Sequence, residues 1–158
     1  MGIYNIGMFD LLRWIEKHCL FYYANTDRVE YITINSPGNG NSFGTLLTGA
    51  AYHPDGSSNA TNERALNAGA QYGGSSTDIH YFTVNSASDS TDFGDLFENL
   101  TGSAASCGSG VNDRCLWWSE ISNTIQYRTI SSTGNAADFG NLTATGVSEG
   151  GTADAGGC

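Results

Sequence analysis

The chain reads as a mainly β protein: a three-unit repeat of short antiparallel strands, preceded by an amphipathic helix. Three observations carry that reading. Three stretches align without a gap over eighteen positions: residues 29–46 are VEYITINSPGNGNSFGTL, residues 79–96 are IHYFTVNSASDSTDFGDL and residues 125–142 are IQYRTISSTGNAADFGNL. Each copy opens with strand-like alternation. The 158 residues include 21 Gly but only 2 Pro, with abundant Ser, Thr and Asn, the composition of a turn-rich β chain. A unit recurring every 20–50 or so residues stacks on its neighbours, because one copy cannot bury its apolar face alone.

Within a copy, the first strand places Ile79, Tyr81 and Thr83 on one side and His80, Phe82 and Val84 on the other. A Ser/Gly/Asn/Asp turn follows, then a short strand carrying Phe-Gly-x-Leu. Phe and Leu lie three apart there, so burying both requires a bulge or bend at the Gly. The expected repeat core is Tyr31, Phe43 and Leu46 in the first copy, Tyr81, Phe93 and Leu96 in the second, and Tyr127, Phe139 and Leu142 in the third. Two further segments complete the first two units, one of small residues and one beginning with Arg64 or Arg114, and the third copy lacks the Arg segment. Four strands per unit suit a propeller blade or a three-sheet prism.

Residues 8–23, MFDLLRWIEKHCLFYY, place Asp10, Arg13, Glu16 and Lys17 on one helical face. The opposite face is a wide apolar stripe. Two segments follow: 1–28, a lead-in and helix that caps or docks, and 29–158, the β-repeat domain with copies starting at 29, 79 and 125. Leu11, Leu12, Trp14, Ile15, Phe21 and Tyr22 are the interface candidates on the helix.

Sixteen acidic residues against six basic ones give a net charge of −10. The basic residues are scattered, which argues against nucleic-acid binding and against attraction to an anionic membrane. Charges interrupt the apolar stretch at 8–23, so neither a signal peptide nor membrane insertion is expected. Four Cys are too few for a disulfide framework, although Cys107 and Cys115 could close a local hairpin.

Chemistry-bearing patterns are weak, so no catalytic residue, cofactor or metal is expected, and the chain is read as non-enzymatic. Asp89, Asp92 and Asp95 read as turn-capping side chains rather than a calcium site. His80 stands where Glu30 and Gln126 stand in the other copies, and reads as a surface position. Trp117 and Trp118 are the one anomaly. Adjacent strand residues face opposite ways, so one of the pair is a candidate contact for a glycan or a partner.

The wording Ile-x-Tyr-x-Thr-Ile-x-Ser-x-Gly-Asn-Ala-x-Asp-Phe-Gly-x-Leu at residues 125–142 resembles a repeat found in tandem in proteins of cyanophages and other aquatic phages, often labelled Kelch-like or tail-fibre-like. The resemblance covers residues 29–158. In that family an Arg-Gly-x-x-x-Gly-Gly strand follows the small-residue strand. Arg64 and Arg114 hold the Arg position, Gly73-Gly74 is the candidate for the Gly pair, and Trp117-Trp118-Ser119-Glu120 departs from the pattern. The resemblance implies a virion structural protein, either capsid decoration (cement) or tail- or fibre-associated, made in the host cytoplasm without a secretion signal. Its implied partners are other capsid or tail proteins and further copies of itself, a trimer being one option. The alternative is a carbohydrate- or receptor-binding module for host attachment, with a cell-surface glycan as ligand.

Overall fold

A computed structural model describes residues 18–23, 26–47, 51–58, 64–71, 76–100, 104–109 and 112–146, with backbone only at 51–57, 70–71, 104–105 and 109. The described residues form eleven antiparallel strands in three sheets. Sheet one is β1 (His18–Tyr22), β2 (Arg28–Thr33) and β3 (Asn41–Thr45), in that order. Sheet two runs β4 (Ala51–Ser58), β5 (Arg64–Gln71), β6 (Asp78–Thr83) and β7 (Thr91–Asp95). Sheet three runs β8 (Ala104–Ser109), β9 (Arg114–Ser119), β10 (Thr124–Thr129) and β11 (Ala137–Asn141). Each sheet is a meander, so neighbours in sequence are neighbours in space.

Local chemistry repeats with the strands. The hydroxyl of Thr26, Ser76 or Ser122 accepts from the backbone N–H two residues on, just as β2, β6 or β10 begins. At the far end of those strands, Ser36, Ser86 and Ser132 donate N–H to the carbonyls of Thr33, Thr83 and Thr129 and close the turn. The N–H groups of Leu46, Leu96 and Leu142 donate to the carbonyls of Asp27, Thr77 and Asn123, at 2.7, 2.6 and 2.7 Å. These positions fix one register three times.

The bulge expected at the Gly falls instead on the Phe before it. Val29 pairs with Gly44 and Glu30 with Ser42, which leaves Phe43 outside the ladder. Phe93 and Phe139 are set the same way. The extra residue reverses the alternation once, so Phe and the Leu three places later reach the same face. Each Phe then meets the Tyr of its own copy edge-on. The ring centroids are 5.8 Å apart for Tyr31–Phe43, 5.9 Å for Tyr81–Phe93 and 5.6 Å for Tyr127–Phe139.

That Tyr/Phe/Leu face of each sheet is its rear, and the opposite face its front. The rear of sheet one packs Val29, Phe43 and Leu46 around Phe82 from the front of sheet two. The rear of sheet two packs Leu66, Ile79, Phe93 and Leu96 against Cys115 and Trp117 from the front of sheet three. The middle sheet is therefore covered on both sides, as near-continuous burial along β5 requires.

Several expectations need correction. Residues 18–22 of the expected helix are strand β1, which hydrogen-bonds to β2 across the expected 28/29 boundary. The rest of that helix, with Leu11, Leu12, Trp14 and Ile15, lies outside the described residues. Phe21 and Tyr22 lie on opposite faces of β1, with Tyr22 packed at the rear. Phe139 and Leu142 are exposed rather than core, because among the described residues no further sheet follows on the rear of sheet three. Cys107 pairs with Leu116, and Cys115 with Gly108, so the two thiols sit on opposite faces and form no bridge.

His80 is also buried rather than exposed, because the front of sheet two faces sheet one. Burial lowers its pKa below the ordinary 6.5, opposed in part by Asp78 and Asp92. The unfolded chain then binds the proton more readily than the folded one. Stability should be fully present above pH 6.5 and decline as pH falls below that value. Urea unfolding across this range should show the decline. His80→Gln, which installs the residue found at position 126, should flatten it; an unchanged slope would assign it to other groups.

Candidate functional site

The feature built most deliberately is the joint between successive sheets, and it occurs twice. In the first joint, the turn between β6 and β7 inserts against β3. Ser90 N–H donates to the Thr45 carbonyl at 2.9 Å. Asp89 Oδ1 accepts from Thr45 N–H at 2.9 Å and from Thr45 Oγ1 at 2.8 Å, and Ser90 Oγ accepts from Leu47 N–H at 2.8 Å. The second joint uses the same positions one unit on. Ala136 N–H donates to the Asp95 carbonyl and Gly134 N–H to the Phe93 carbonyl, both at 2.7 Å. Asn135 Oδ1 accepts from Asp95 N–H at 3.1 Å. The incoming turn thus continues the sheet edge for a few bonds and satisfies groups that an edge strand leaves open.

The Gly of Phe-Gly-x-Leu is what lets the turn approach. A Cβ on Gly44 would overlap the Ser88 carbonyl. Gly94 has φ +143°, and a Cβ there would lie 2.5 Å from both the C and the O of Gly134. Both conformation and space therefore exclude a side chain at Gly94.

A stacked donor secures the other end of each joint. Arg64 lies over the Tyr81 ring, 4.7 Å from its centroid, and donates to the carbonyls of Ile130 and Ser131 at 3.3 and 3.1 Å. His18 takes this role in sheet one. It pairs with Thr33 as Arg64 pairs with Thr83, and its ring centroid lies 4.5 Å from that of Tyr31. Its Nδ1 is 2.8 Å from the carbonyl of Val84, the counterpart of Ile130. Only a protonated Nδ1 can donate to that carbonyl, so the contact selects the Nδ1–H form. The second joint adds a two-way amide clasp: Gln126 Nε2 donates to the Glu98 carbonyl at 2.9 Å while its Oε1 accepts Glu98 N–H at 2.7 Å.

The same half-joints recur uncovered at the ends of the stack. Exposure of the repeat Phe is 4% at Phe43, 2% at Phe93 and 49% at Phe139. Gly140 has φ +141°, yet a Cβ there would meet nothing within 4 Å. Arg114 lies over Tyr127 at 5.1 Å as Arg64 lies over Tyr81. At the opposite end, the turn at 36–40 is exposed, and a Cβ on Gly38 also meets nothing. Ile34 is 60% exposed, whereas its counterpart Ile130 is fully buried.

The Trp pair splits between faces as strand alternation demands. Trp117 is wholly buried between sheets two and three, so it cannot stack on a glycan. Trp118 is half-buried on the rear of sheet three. Asp89 is a capping side chain, but across a joint rather than within its own turn. Among the described residues no group of three or more His, Cys, Asp or Glu could hold a metal ion, and no helix is long and apolar enough to cross a membrane.

No protein-family model matches the chain, and no curated protein matches it.

The joint yields a paired prediction. Asp89→Ala removes two hydrogen bonds to Thr45 and should cost about 1–2 kcal/mol in urea unfolding. Asp89→Asn should cost far less, because Asn135 does the same work in the second joint. Equal losses for both would mean that the carboxylate charge, not its oxygen, matters.

Proposed function

We propose that this chain is a non-enzymatic structural subunit of a phage virion, acting through its sheet surfaces. The observation that carries the reading is the joint made twice inside the chain with an uncovered half at each end. Half-joints of this kind suit permanent assembly, because they combine apolar area with unpaired edge groups. The phage-type repeat points to virion proteins as partners, and a small acidic subunit suits capsid decoration or a tail-associated adaptor. Of the two arrangements suggested by four strands per unit, a three-sheet body fits better than a propeller, which closes with four to eight blades.

Host attachment through a glycan is the second reading. Trp118, Tyr127 and Phe139 share the rear of sheet three, and aromatic faces stack on sugars. Under this reading, a saturable, sugar-specific quench of Trp fluorescence is expected. No response across a broad glycan panel would remove it.

Mass spectrometry of purified particles, with this chain ratioed to the major capsid protein, tests the first reading. One copy per few capsid subunits is the expected result for decoration, and a handful per particle for a tail component. Absence from particles would refute the virion role.

A further inference from the structure

We infer that the chain self-associates head to tail: the rear of sheet three receives the front of sheet one from a second copy. The two internal joints supply the template. Each matches a sheet rear carrying Phe-Gly-x-Leu to a front carrying a Ser/Gly/Asn/Asp turn. Among the described residues, both halves of a third such joint are present on one molecule, with Ile34, Phe139 and Leu142 exposed. This inference does not need the virion reading, since it concerns the purified protein alone.

The donor half is complete. Asn39 stands at the position of Asp89 and Asn135, whose side-chain oxygens accept from Thr45 and Asp95 N–H groups. Gly38 and Gly40 flank it where Ser88 and Ser90, or Gly134 and Ala136, make the close approach. Ile34 is poised to fill the place that Ile130 fills in the second joint. Phe21, at 44% exposure, stands where Trp117 is fully buried, since β1 and β9 share the register His-Cys-Leu-Phe-Tyr and Arg-Cys-Leu-Trp-Trp.

The acceptor half is equally complete. Phe139 and Leu142 are exposed where Phe93 and Leu96 are buried. Gly140 keeps the left-handed φ and the open space that a neighbouring turn occupies at Gly94. Asn141 presents the edge backbone that Thr45 and Asp95 use to bind a turn. Arg114 is stacked on Tyr127, ready to donate to the carbonyls of Ile34 and Asn35, as Arg64 donates to those of Ile130 and Ser131.

A joint between unlike surfaces leaves both end surfaces of the pair open. It closes into a ring if the rotation permits and otherwise grows as a filament. A second copy joined rear to rear would instead form a closed dimer, and the two modes respond differently to mutation.

The test uses the full-length chain and two variants, Ile34→Glu at the front and Leu142→Glu at the rear. Light-scattering mass is followed up to about 100 μM, a range in which micromolar association is visible. Wild-type mass should rise above that of a monomer, whether to a ring plateau or without limit. Each variant alone should stay monomeric with an unchanged circular dichroism spectrum. An equal mixture should reach twice the monomer mass and stop there, because each variant keeps one intact surface. Should Leu142→Glu unfold, Asn141→Arg blocks the same strand from an exposed position. Asn39→Ala should weaken wild-type association roughly tenfold. A wild-type chain that stays monomeric, an Ile34→Glu variant that still dimerises alone, or a folded mixture that stays monomeric would each overturn the inference.

Discussion

The bulge at Phe-Gly decides how this chain packs. Without it, Phe and Leu three residues apart would face opposite ways, and each sheet would have two half-apolar faces. With it, Phe43 and Leu46, or Phe93 and Leu96, converge on the rear. The Gly beside the bulge then presents bare backbone at the point where the next unit's turn arrives. Side-chain convergence and backbone access come from the same two residues. A substitution at the Gly therefore disturbs the ladder, the apolar cluster and the joint together.

Because each sheet leans only on its neighbours, stability is distributed along the stack rather than held in one core. Sheet two, covered on both faces, buries even the polar Asn67 and His80. Among the described residues, sheets one and three each pack on one face only, and residues such as Ile34 and Phe139 are exposed where their counterparts are buried. The copies share the Phe-Gly-x-Leu element, yet Phe93 and Phe139 live in opposite environments. Position in the stack, not residue type, sets that difference.

This explains what could and could not be read from the chain alone. The Tyr-x-Thr strand, the turn and the Phe-Gly-x-Leu bulge were legible because three copies constrain each other. The helix expected at 8–23 failed over 18–22, where an apolar run with few charges fits either periodicity. The missed signal was a repeat: His18-Cys19-Leu20-Phe21-Tyr22 parallels Arg114-Cys115-Leu116-Trp117-Trp118, and only the register shows that His18 replaces an arginine. His80 looked exposed because Glu30 and Gln126 occupy its place, yet Gln126 is buried as well, clasping Glu98. Polar type at a repeat position does not imply solvent when a second sheet covers the face. Which Trp of the pair was buried required the strand's orientation, which pattern alone does not supply. The joints were invisible for the same reason, since Thr45 and Asp89 lie 44 residues apart.

A net charge of −10 opposes contact between copies at long range, but the joints rely on little of that charge. Most of their bonds run from backbone N–H groups to carbonyl or side-chain oxygens, and the stacked Arg64 and His18 donate to neutral carbonyls. Asn135 and Asn39 take the place of Asp89 without bringing a carboxylate. Repulsion between acidic surfaces is screened within about 10 Å at 0.1 M salt, while hydrogen bonds and apolar burial act at contact. Acidity and joint formation are thus separable in this fold, since most groups that make the turn-to-edge contacts inside the chain carry no charge.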